Sequence, residues 1–81
     1  MLTIITETGI FTNLMKIFVH HDSDGDNAAI WIRTNYQGSI RLSYYRVTHH
    51  MTSYKANNLY HRIADQVAAG VKVIDLRKMN E

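Results

Sequence analysis

The chain contains no cysteine and no proline. Without thiols, disulfide stapling, thiolate catalysis and thiolate zinc sites are excluded, and a reducing, cytoplasmic setting is the expected one. Without proline, no turn is set by a locked φ angle. Long apolar runs are missing too. No uncharged apolar stretch is long enough to span a bilayer, and Met1–Glu7 has neither a basic leader nor an extended apolar segment, so no secretory signal is expected. Signatures of catalysis are also missing: there is no Gly-x-Ser-x-Gly elbow and no glycine-rich phosphate loop, and Asp65 and Asp75 stand alone. With 81 residues, the chain leaves little room for a concave pocket of about 300–1,000 Å³, the usual ligand-site range. A non-enzymatic protein without a cofactor is the expectation.

Hydrophobic residues make up 46% of the chain. That argues against disorder and for one packed domain spanning 1–81, small enough to bury a modest share of its surface. Formal net charge is only +2, but of the seven acidic residues three (Asp22, Asp24, Asp26) sit in one segment. The result is a mildly basic body with one acidic tip.

Leu2–Thr6 is β-prone and is broken by Gly9, so residues 1–14 are expected to form an edge strand or an arm. Leu14–His21 is a stronger strand. The run Asp22–Asn27 is dense in turn formers and reads as a hairpin connection. Ala28–Tyr36 is the next strand, Gln37-Gly38 a two-residue turn, and Ser39–His49 a long strand ending near Met51. The period then changes. Ala56, Leu59, Tyr60, Ile63, Ala64 and Val67 follow helical spacing, with Thr52 or Ser53 as N-cap and Gly70 at C′. Val71–Leu76 returns to strand character, and 77–81 reads as a polar tail. The fold class is therefore α+β: a small antiparallel or mixed sheet of four to five strands, one amphipathic helix on one face, order (β)βββαβ.

Phase is the most informative signal. Along Lys16–His20 and Ala29–Arg33, Ile17, Val19, Ile30 and Ile32 fall on one side, while Lys16, Phe18, His20, Trp31 and Arg33 fall on the other. Pairing His21 with Ala28 sets Phe18 opposite Trp31. Pairing through Gln37-Gly38 sets Trp31 opposite Tyr44 and Arg33 opposite Leu42. Tyr45 and Val47 then join the aliphatic side, and Leu42, Tyr44 and Arg46 the aromatic one. One helix covers one face, and Leu59, Ile63 and Val67 match the aliphatic side. The aromatic and basic side is left open. Trp, Tyr and Arg are the residues most enriched in binding hot spots, so Lys16, Phe18, His20, Trp31, Arg33, Tyr44 and Arg46 are the candidate partner-binding residues. Cross-strand packing of the same rings is the plainer reading of that row.

Two further clusters are weaker. Asp22-Ser23-Asp24-Gly25-Asp26 begins like a calcium loop, but Gly25 is fourth where the pattern needs sixth, and Arg33 stands where the bidentate Glu belongs. A solvated hairpin tip is the better reading. The pairs His20-His21 and His49-His50 are expected at the same end of the sheet, which makes His21, Asp22, Asp24 and His49 weak metal candidates. Neighbouring residues on a strand point to opposite faces, so no metal site is assigned.

The expected function is a small protein-binding module acting through the open face, economical in the way of phage and mobile-element proteins that inhibit host machinery such as a defence system. That is an analogy of type, carried by no motif. Single-stranded nucleic-acid binding on the same face is the alternative, since bases stack on sheet aromatics beside Arg and Lys. A metal-dependent hydrolase at the His/Asp end is a second alternative, and a homodimer through the open face or an edge strand is a further option.

Overall fold

The computed structural model describes residues 2–7, 9–12, 14–35 and 42–79. The class is α+β, with strands first and the main helix after them. The strands β1 (Thr3–Thr6), β2 (Gly9–Phe11), β3 (Leu14–His21), β4 (Asn27–Asn35), β5 (Leu42–Arg46) and β6 (Met51–Thr52) precede α1 (Ser53–Ala68), which is followed by β7 (Val73–Asp75) and a short α2 (Leu76–Met79). Where a single sheet was expected, the strands divide into two. One sheet runs β2-β1-β7, with β1 antiparallel to β2 and parallel to β7. The other runs β3-β4-β5, with β6 also pairing β4. The N-terminal residues are thus a strand pair tied to the C-terminal segment.

The β3–β4 hairpin has the register expected from the sequence, with Phe18 opposite Trp31 and His21 opposite Ala28. Its turn is closed by Gly25 at φ 77°, by the Gly25 N–H on the Asp22 carbonyl (2.9 Å), and by the Asp26 N–H on Asp24 Oδ1 (3.0 Å). The β4–β5 register differs from expectation by two residues. Trp31 faces Arg46, Arg33 faces Tyr44, and Asn35 faces Leu42. A shift of two conserves which side every residue faces. The Gln37-Gly38 turn falls outside the described residues.

The expected long third strand is interrupted after Arg46. Residues 47–50 bulge away from the ladder before β6 resumes at Met51 opposite Ala28. The Val47 N–H still reaches the Ile30 carbonyl (2.9 Å), and the Ile30 N–H is taken by Thr48 Oγ1 (3.0 Å). A side-chain hydroxyl thus replaces the carbonyl that the bulge removes.

Helix α1 is capped as its sequence indicates. Thr52 Oγ1 accepts from the Lys55 N–H (3.3 Å). At the other end Gly70 takes φ 88°, with the Gly70 N–H on Val67 O (3.1 Å) and the Val71 N–H on Gln66 O (3.0 Å). This paired arrangement is a Schellman motif, which needs the left-handed residue that glycine supplies. Ala56, Leu59 and Ile63 are buried, as the helical period predicts. Val67 is not: it is 43% exposed, and Ala64 is exposed too. Beyond Ile63 the helix leaves the buried core.

The core joins Ile30, Ile32 and Val47 of the larger sheet to Leu59 and Ile63 of α1, Ile4 and Ile74 of the smaller sheet, and Leu76 and Met79 of α2. The supposed polar tail therefore begins with an anchored helical turn. Each fully buried Ile side chain contributes roughly 1.5–3 kcal/mol relative to exposure.

Candidate functional site

On the inner side, Ile17, Val19, Ile30, Ile32, Tyr45 and Val47 pack into or against the core. Phe11 of β2 also reaches this side, its ring 5.4 Å from that of Tyr45. Helix, small sheet and C-terminal turn therefore share one face of β3-β4-β5. No described element packs on the other face. There the ladder makes a grid: Lys16, Arg33 and Tyr44 form one row, and Phe18, Trp31 and Arg46 the next. His20 continues β3 opposite Ala29. All seven sequence-predicted partner-binding residues thus share one side; Leu42 pairs Asn35, and its side chain lies outside the described residues.

The rings support one another. Phe18 and Tyr44 meet edge to face with centroids 5.9 Å apart, and His20 tilts against Trp31 at 5.8 Å. Lys16 Nζ stands 5.3 Å from the Phe18 ring centre, and the Arg33 guanidinium 5.6 Å from that of Tyr44. These are cation–π distances. Mutual packing leaves Phe18 and Trp31 partly buried, while Tyr44 is 56% exposed. Phe18, His20, Trp31 and Tyr44 line an open depression of 290 Å³.

Arg33 is the unusual member. Its Nε is buried and finds no hydrogen-bond acceptor among the described residues. An unpaired buried donor costs about 1–3 kcal/mol. No described carboxylate stands on this face within ion-pair distance of Lys16, Arg33 or Arg46. The face is rich in donors and poor in acceptors.

At its upper end the bulge delivers His50 to the acidic hairpin. Arg46 Nη1 lies 3.0 Å from His50 Nδ1, and His50 Nε2 faces Asp22 Oδ1 at 3.6 Å. A guanidinium only donates, so Nδ1 accepts and the ring proton sits on Nε2, toward Asp22. Sequence reading did not single out His50; the Arg46-x-x-x-His50 spacing brings the two together only because residues 47–50 bulge.

The weak metal candidates are drawn apart. His21 Nδ1 lies 3.1 Å from Ser53 Oγ, whose hydroxyl donates to the Gly25 carbonyl (2.7 Å). Asp22 faces His50, Asp24 caps Asp26, and His49 faces Glu7 at 3.5 Å. Among the described residues no three histidines or carboxylates gather as a metal would require. Two open grooves do reach the volume of a ligand site, 490 Å³ beside β3 and 710 Å³ between α1 and α2.

Compared with known proteins, the chain matches no family model, no curated protein and no solved structure. Among the described residues no helix is long and apolar enough to cross a membrane.

Proposed function

We propose that the chain is a non-enzymatic protein-binding module whose Phe18–Trp31–Tyr44 face docks on an acidic surface of a partner protein. The observation that carries this reading is the composition of the uncovered sheet face: three aromatic rings, with Lys16, Arg33 and Arg46 around them and no ion-paired carboxylate among the described residues. Aromatic anchors rimmed by cations are the usual make-up of a hot spot, and charge complementarity would steer the encounter. Acting by coverage, such a module blocks or bridges larger proteins, in the manner of an inhibitor of host machinery.

Single-stranded nucleic acid is the second reading, favoured by the cations beside Phe18 and Tyr44. It is the weaker one. Successive bases need separate flat platforms, whereas Phe18 and Tyr44 lock edge to face at 87°.

An affinity capture with the wild type beside a Trp31→Ala/Tyr44→Ala variant tests the proposal, with recovered protein and nucleic acid analysed separately. The expected result is a protein retained by the wild type and lost by the variant. Recovery of nucleic acid alone, with steep loss as salt rises, would favour the second reading. Equal recovery by both forms removes the face from consideration.

A further inference from the structure

We infer that β3 is also a dimerisation edge, along which a second copy of this chain adds antiparallel to continue the sheet.

Among the described residues β3 pairs only with β4. The polarity of its free edge can be read from one bond. The Asp22 N–H donates to the Asn27 carbonyl (2.8 Å), so that pair is of the hydrogen-bonded type. In an antiparallel ladder the types alternate. Lys16, Phe18 and His20 therefore turn their backbone groups to β4, and Ile17, Val19 and His21 turn theirs outward. Native edges are usually blunted by proline, by short length, by β-bulges or by charged side chains, lysine above all. Here the edge has no proline, and its irregularity and its lysine both lie at the Leu14–Lys16 end, leaving unbroken register from Lys16 to His21. The core also thins toward it. Ile17 and Val19 are only partly buried, whereas Ile30 and Ile32 on the central strand are fully buried.

The strand is complementary to itself. A two-fold axis at Val19 sets the outward groups of Ile17 and His21 against those of His21 and Ile17 in the second copy, with Val19 facing Val19. On the outer face the same register sets Phe18 beside His20 and Lys16 beside Asp22 of the second copy, twice over. Each opposite-charge pair favours this register, and no like charges meet directly. Asp22 is 37% exposed as a side chain and also faces its own His50. The interface lies at the side of the aromatic face and shares Lys16, Phe18 and His20 with it, so pairing joins the faces of the two copies into one.

Sedimentation velocity over a concentration series up to millimolar chain tests the inference. The wild type is expected to reach twice the 9.4 kDa chain mass. Lys16→Glu and Asp22→Lys each set like charges opposite one another at both ends of the interface. Each is expected to weaken the dimer about ten-fold with unchanged circular dichroism, and the Lys16→Glu/Asp22→Lys double variant to restore it. Hydrogen exchange at the Ile17, Val19 and His21 amides should slow as concentration rises. A monomer at every concentration overturns the inference. So does a dimer indifferent to both reversals, or one lost in Trp31→Ala, which would place the contact on the aromatic face.

Discussion

Phe18 and Tyr44 touch edge to face, 5.9 Å between ring centres, although their strands are not neighbours. Two strand spacings separate them, about 9.6 Å at 4.8 Å each. Both side chains must lean inward over β4. Arg33 stands opposite Tyr44 on that central strand, and its Nε is buried without an acceptor. The aromatic face is thus a ring cluster that holds a cation in place.

Arg33→Met should separate binding from stability. The substitution keeps an unbranched stem and removes the unpaired donor. The urea midpoint is expected to stay constant or to rise by the equivalent of about 1 kcal/mol, while affinity for the captured partner falls. A large loss of stability would show that the guanidinium is structurally satisfied.

Thr48→Val should destabilise the fold by about 1–3 kcal/mol, because the buried Ile30 N–H loses the hydroxyl that accepts it and nothing else replaces the missing rung. Chemical denaturation measures this directly. A neutral substitution would mean that the bulge does not depend on that bond.

Gly70→Ala should lower stability by about 1 kcal/mol through the backbone alone. Its φ is 88°, and an added Cβ would meet nothing within 4 Å. Thermal unfolding of α1, followed by circular dichroism, reports the change.

Among the described residues, the Asp75–Arg77 pair makes stability depend on pH. The side-chain hydrogen bond from Arg77, 2.7 Å from Asp75 Oδ2, holds the Asp75 carboxyl below its ordinary value. A depressed folded-state value means the contribution is complete above the ordinary carboxylate range and is lost as pH falls through the depressed one. The Arg77 side chain is about half exposed, so solvent screens the pair and the effect is small. Comparing Asp75→Asn with the wild type, the stability gap should be present at neutral pH and should close in strong acid.

The side each residue faces was legible in the sequence because strand periodicity is local. Ile17, Val19, Ile30 and Ile32 fix the inner side whatever the strands pair with. The helix was legible for the same reason, with Gly70 at its end and the N-cap narrowed to Thr52 or Ser53, although Ala64 and Val67 of its periodic face are exposed. Register was harder. Trp31 faces Arg46 where Tyr44 was expected, because a turn placed by one Gln-Gly dipeptide sets the whole β4–β5 ladder, and a shift of two residues leaves the hydrophobic pattern unchanged. The division into two sheets rests on β1 pairing in parallel with β7 across most of the chain, a non-local contact without periodic trace. Helix α2 was missed because one turn shows only a single apolar spacing, Leu76 to Met79. Within the site, the residue types were readable. The mutual support of the rings and the position of His50 were not, since both depend on the bulge and on side chains leaning across β4.

Hydroxyl-radical footprinting of the captured complex tests the central claim most directly, because Tyr54 on α1, 76% exposed, serves as an internal reference. Oxidation of Trp31 and Tyr44 is expected to fall on binding while that of Tyr54 stays constant. Protection of Tyr54 with Trp31 and Tyr44 unchanged would contradict the account and move the binding surface to the helix.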